Sequence, residues 1–129
     1  MTKQEYAVEL KHCNHNCCQA VICAYAEEIG IDYDILKKLG AGFGSGMATM
    51  EGTCGALCGA QMLLGIDRYN GKPIHKDSGR LYNLFKEKCG STTCGELKGI
   101  KTGKILCDCD SCVRFAVDSY EELKKESAE

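Results

Sequence analysis

Apolar residues recur along most of this chain at intervals of three and four, the period of helices that bury one face. The first such run covers Asn16 to Ile29. Within it Cys18, Ile22, Tyr25 and Ile29 share a face, Cys17 and Val21 flank it, and Gly30 supplies the stop. Asp32 is placed to cap a short helix over Tyr33 to Leu39. A glycine-rich passage, Gly40 to Gly46, leads toward Thr53–Gly65, which is small and apolar on nearly every side, the composition of a buried helix that its neighbours approach closely. Arg68 to Pro73 reads as a polar loop, and Ser78 is expected to cap a helix running to about Lys88 with Leu81, Leu84 and Phe85 inward. Gly90 to Lys104 is irregular apart from a turn around Cys94 to Leu97. A last helix starts after Asp110 or Ser111, with Val113, Ala116, Val117, Tyr120 and Leu123 as its stripe. No segment alternates convincingly as a strand would. The predicted fold class is all-α: one compact multi-helical domain over residues 1–129, of about five helices with glycine-rich connections. Residues 1–12 are expected as an N-terminal extension and 124–129 as a frayed tail.

Composition narrows the function. The chain has 129 residues, 44% hydrophobic, enough for one core. Its net charge of −2, with both signs interspersed, gives no electrostatic footprint for nucleic acid. The longest nearly apolar stretch, Ala56 to Ile66, is shorter than the roughly 20 residues a bilayer span needs, so no membrane insertion is expected. The N-terminal residues Met1 to Leu10 are polar and charged, which points to a cytoplasmic location. Eleven cysteines in that setting change the picture most, because thiols in a reducing compartment stay free unless they ligate a metal or do redox chemistry. An odd number also cannot pair completely.

The cysteines fall in four groups: Cys13, Cys17, Cys18 and Cys23; Cys54 and Cys58; Cys89 and Cys94; and Cys107, Cys109 and Cys112. Cys54 and Cys58 lie one helical turn apart. Cys54 and Cys109 each sit near a predicted helix start, where free N–H groups favour a thiolate, so both are the catalytic candidates if the chemistry is thiol–disulfide exchange. Cys18 and Cys23, inside the first long helix, read first as small buried hydrophobes. Two metal readings compete. Cys89-x4-Cys94 with Cys109-x2-Cys112 loosely imitates a split zinc site, whereas dispersed cysteines that meet in space suit an iron–sulfur cluster. Spacing does not choose between them. His12 and His15 flank the first group as ligands, as neighbours that lower a thiol pKa, or as plain surface residues. The glycine run matches no phosphate-binding motif, and neither H-E-x-x-H nor G-x-S-x-G occurs. It serves either as a tight passage between helices or as a loop, through Gly44 and Gly46, that brings backbone N–H groups toward sulfur.

Three segments in order, Asn16-Cys-Cys-Gln-Ala-Val21, Gly42-Phe-Gly-Ser-Gly-Met47 and Thr53-Cys-Gly-Ala-Leu-Cys-Gly-Ala60, resemble the C_GCAxxG_C_C family of redox-active proteins. The hallmark C-G-A-x-x-G falls on Cys54 to Gly59, and the likeness runs from about Cys17 to Leu123. The resemblance implies a helical redox domain whose four family cysteines are Cys17, Cys54, Cys94 and Cys109. The same domain type occurs in split-Soret cytochromes, which carry an iron–sulfur cluster beside their haem; no C-x-x-C-H is present here, so covalent haem is not expected. The leading expectation is an iron–sulfur cluster on those four thiols, with Gly44, Gly46 and Gly55 at the cofactor, electron transfer as the activity, and a redox protein as partner. Cys13, Cys18, Cys58, Cys107 and Cys112 stand as extra or substitute ligands. A cofactor-free thiol–disulfide oxidoreductase and a zinc-binding protein are the alternatives, and glycine-faced helices are compatible with a homodimer.

Overall fold

The computed structural model describes residues 1–126, and among them eight α-helices follow one another: α1 (Lys3–Lys11), α2 (Cys17–Cys23), α3 (Ala26–Ile29), α4 (Tyr33–Leu39), α5 (Gly55–Arg68), α6 (His75–Cys89), α7 (Cys94–Lys98) and α8 (Cys109–Lys124). A 3-10 turn (Ala41–Phe43) and a wide turn (Gly46–Met50) fill the passage between α4 and α5. The all-α class is therefore observed, with more and shorter helices than the five expected. Residues 127–129 of the expected frayed tail lie outside the described residues.

The differences have local causes. The expected N-terminal extension, residues 1–12, contains α1, capped by Thr2 and Glu5 in a reciprocal box and burying Ala7, Val8 and Leu10; α1 packs against α8. The long helix expected over 16–29 breaks at Ala24–Tyr25, where Lys3 Nζ takes the Ala24 carbonyl at 3.1 Å. Tyr25 then turns inward, fully buried, edge-on to Tyr120 at 5.2 Å, with its hydroxyl donating to Glu121. Ser78 does not cap α6. The helix begins three residues earlier, just after Pro73, and the Ser78 hydroxyl donates to Gln61 Oε1 (2.9 Å) to tie α6 to α5. Helix α8 begins at Cys109, with Asp108 accepting the Ser111 N–H at 2.8 Å, slightly ahead of the expected start.

Helices α1, α5 and α6 all pack on α8, and α2 packs on α5. Leu57, Leu63 and Leu64 of α5 are fully buried, as are Val113, Ala116 and Val117 of α8, each leucine contributing about 1.5–3 kcal/mol. The α2–α5 contact is set by missing side chains. A Cβ on Gly55 would stand 3.3 Å from the Cys18 nitrogen of α2 and 2.7 Å from the Phe43 carbonyl oxygen of the 3-10 turn, and one on Gly59 would stand 3.0 Å from the Cys18 carbonyl oxygen. No helix among the described residues is long and apolar enough to cross a membrane.

This packing makes a paired prediction. Gly55→Ala should destabilise by about 1–3 kcal/mol, since backbone cannot move aside for the methyl. Gly65→Ala, on the same helix with nothing within 4 Å of the added carbon, should stabilise by about 0.5–1 kcal/mol. Urea midpoints at unchanged m-value check both; equal effects would contradict the close-packed contact.

Candidate metal centre

Four helix starts meet at one place. Cys17 opens α2, where Asn16 and Gln19 exchange side-chain to backbone hydrogen bonds of 2.8 Å and fix the first turn. Cys54 is the N-cap of α5, Cys94 opens α7, and Cys109 opens α8. Cys54 and Cys94 are held side by side by the antiparallel bridge between Thr53 and Thr93: the Cys54 N–H donates to Thr92 O at 2.7 Å and the Cys94 N–H to Gly52 O at 3.0 Å. Tyr82 of α6 braces that bridge through a 2.8 Å hydrogen bond to Thr92. All four cysteines line a single cavity of about 250 Å³, together with Lys11, His15, Asn16, Ser45, Met50 and Lys98.

A family model described as "Putative redox-active protein (C_GCAxxG_C_C)" matches residues 15–123. The chain belongs to that family. No curated protein and no solved structure is detectably similar to it. The matched span holds Cys17, Cys54, Cys94 and Cys109, the cysteines that line the cavity, but leaves out the whole of α1.

The other cysteines of this C_GCAxxG_C_C domain lie elsewhere. Cys13 is exposed on the turn after α1, and neither it nor Cys18, Cys58, Cys107 or Cys112 lines the cavity. Cys18 and Cys23 are buried on α2, and the half-buried Cys58 directs its thiol toward the Thr53 carbonyl. Cys89, Cys107 and Cys112 form a separate buried group with all three sulfurs within 4.8 Å of one another. The split zinc pattern expected Cys89 and Cys112 to meet with Cys94 and Cys109; the structure joins them to Cys107 instead, and Cys94 and Cys109 line the cavity. Cys112 joins the two regions, its thiol meeting that of Cys54. His12 turns away to pair with Asp110 at 2.8 Å; His15 lines the cavity, with its ring nitrogens on Cys13 O and the Tyr33 hydroxyl.

The three glycines expected at a cofactor do not line the cavity; they let its walls close. Gly46, at φ +60°, stands where a Cβ would be 2.7 Å from Cys94 Cβ, and Gly44 abuts the Asn16 side chain. Gly55 lets the Phe43 carbonyl approach beside Cys17. The wall between them is strained: Ser45, Met47, Ala48 and Met50 all hold positive φ without being glycine. Met50 also brings its thioether 3.8 Å from the Cys94 thiol, a contact that spacing did not reveal.

Electrostatics separate the thiols. Cys17 and Cys109 face each other in a thiol–thiol hydrogen bond. Cys109 holds the thiolate, pulled down to about 5 by the hydrogen bond from Cys17 and then by Lys98 and Lys11, while the same bond and burial push Cys17 up. Cys54, by contrast, is raised by its contact with Cys112 and by burial, although the Ala56 and Leu57 N–H groups pull it back as a helix start should. Burial raises Cys94. The best-placed thiolate is thus Cys109 rather than Cys54.

In metal-free protein, Cys109 should therefore be the first thiol alkylated. Its rate should stay flat at neutral pH and fall only as pH drops through about 5, where the thiolate is protonated. Cys17→Ala removes the donor and should move that midpoint upward. Iodoacetamide labelling with peptide mass mapping checks this; a midpoint near the ordinary thiol value of about 8.5 would contradict it.

Proposed function

We propose that the protein is an electron carrier that holds an iron–sulfur cluster through Cys17, Cys54, Cys94 and Cys109. The observation that carries this reading is that these cysteines, from four separate segments, line one cavity. The donor set fits the group: four thiols, which as thiolates suit clusters of iron and sulfide, with two ammonium groups to offset their charge. The size fits as well, since about 250 Å³ is far more than the ~10–15 Å³ that one water needs. Two thiolates on one ion, each at about 2.3 Å, can be no more than ~4.6 Å apart. Among the described residues a three-sulfur grouping close to that limit, within 4.8 Å, is formed by Cys89, Cys107 and Cys112 and not by any three of the cavity cysteines, which favours a multinuclear occupant over single zinc. Such a cluster supplies reversible one-electron transfer, at a potential tuned by charge, hydrogen bonding and exposure.

The chain's own residues do the tuning. Lys11 and Lys98 favour the more negative state, so Lys98→Met should lower the midpoint potential by on the order of tens of millivolts. Buried Cys54 and Cys94 form the dry wall, while half-buried Cys17 and Cys109 form the face nearest solvent, where a redox protein would dock.

A second reading has its own observation. The facing Cys17–Cys109 pair, with Cys109 as thiolate, suits thiol–disulfide exchange. Cys109 would attack a substrate disulfide, and Cys17 would then displace the reduced substrate, leaving a Cys17–Cys109 disulfide and two electrons transferred.

An ultraviolet–visible spectrum with iron and acid-labile sulfide assays, on protein purified without oxygen, separates the two. The cluster reading expects broad visible absorption bleached by dithionite. Iron should be lost by about tenfold or more in Cys17→Ser and Cys94→Ser, and kept in Cys13→Ser. A colourless protein that cycles a Cys17–Cys109 disulfide would move the assignment to exchange, and stoichiometric zinc without iron would overturn both.

A further inference from the structure

Beyond the four-cysteine cavity, Cys89, Cys107 and Cys112 form a group that the electron-carrier reading does not use. Each comes from a different place: Cys89 from the last position of α6, Cys107 from the loop before α8, and Cys112 from the first turn of α8. All three are buried, at 4%, 6% and 0% exposure. Their sulfurs lie within 4.8 Å of one another, the spacing one ion spans.

The backbone sets this arrangement. The loop over residues 99–108 folds back so that the Leu106 and Cys107 N–H groups both donate to the Leu97 carbonyl, at 2.9 and 3.1 Å. The Cys112 N–H donates to Asp108 O at 2.9 Å, and its thiol points to the Cys107 carbonyl at 3.7 Å. Cysteines that merely fill a core need not aim at one point, whereas these do so from three segments. Lys98 brings its ammonium 3.6 Å from Cys112 Sγ, a counter-charge for a site that would otherwise bury three thiolates.

We propose that Cys89, Cys107 and Cys112 form a second, buried metal site that holds one monovalent copper ion. Soft thiolates select copper(I), zinc or iron–sulfur clusters. Zinc in a structural site takes four ligands, and among the described residues no fourth Cys, His, Asp or Glu belongs to this group. Cys54 meets Cys112 but forms part of the cavity wall. Three sulfurs in a site closed to water suit a d10 ion content with three-coordination. Binding releases the thiol protons to solvent, so uptake strengthens with pH.

The test is competitive titration of oxygen-free whole protein, as purified, with copper(I) buffered by a chelator, with buffered zinc as second probe. Wild type should retain one copper per chain, with near-ultraviolet thiolate-to-copper absorption and three sulfurs by copper X-ray absorption. Cys89→Ser and Cys107→Ser should each bind about tenfold or more weakly, with iron and sulfide per chain unchanged. Cys89→Ala and far-ultraviolet dichroism guard against a folding defect. Wild-type copper affinity in both serine variants, copper uptake that expels iron, or retention of zinc in preference to copper would each overturn the proposal. Iron and sulfide report on the cavity and copper on this site, so either assignment can fail alone.

Discussion

Helices α2 and α5 can lie against each other because α5 presents backbone, not side chains, at the crossing. Gly55 faces the Cys18 N–H of α2 and the Phe43 carbonyl of the 3-10 turn, Gly59 faces the Cys18 carbonyl, and neither carbonyl could stand where it does beside a methyl group. That approach draws the start of α2 to the start of α5 and so brings Cys17 to the same cavity as Cys54. The Thr53–Thr93 bridge then adds Cys94, since its two flanking hydrogen bonds come from the N–H groups of Cys54 and Cys94 themselves. Helix α8, packed on α1, α5 and α6, delivers Cys109 to the remaining side. With every cysteine free, backbone contacts, side-chain caps and the packing of α8 together position the four thiols.

Gathering thiols has an electrostatic cost. Most of these sulfurs are pushed toward the protonated form by burial and by one another, and Lys11 and Lys98 offset only part of that. A bound cation centre reverses the balance, because coordination replaces each proton and satisfies the charge that burial penalises. The strained turn from Ser45 to Met50 belongs to the same economy: four non-glycine residues at positive φ are held over a cavity, where strain is more often a condition of function than of folding.

Much of this was legible in the chain. The 3.6-residue period of Val113, Ala116, Val117 and Tyr120 marks the buried face of α8, and Asp32 caps α4 as read. The small and apolar sequence of Thr53–Gly65 signalled close packing, and the family resemblance pointed to the four cysteines that line the cavity. Other features were written less plainly. Thr2-x-x-Glu5 is a capping box visible by inspection, yet α1 went unread because its apolar residues are few. The break at Tyr25 depends on Lys3 and Glu121, partners far along the chain. The loose split zinc pattern put Cys89 beside Cys112 but drew in Cys94 and Cys109 and left out Cys107, since the actual grouping depends on how the loop over 99–108 folds back onto Leu97.

The central claim, that four helix starts present four thiolates to one multinuclear iron centre, is tested most directly by iron K-edge X-ray absorption on protein purified without oxygen. The account predicts a first shell of sulfur alone with a resolved iron–iron distance beyond it. A shell of nitrogen or oxygen, or a protein that carries no iron under those conditions, would contradict it.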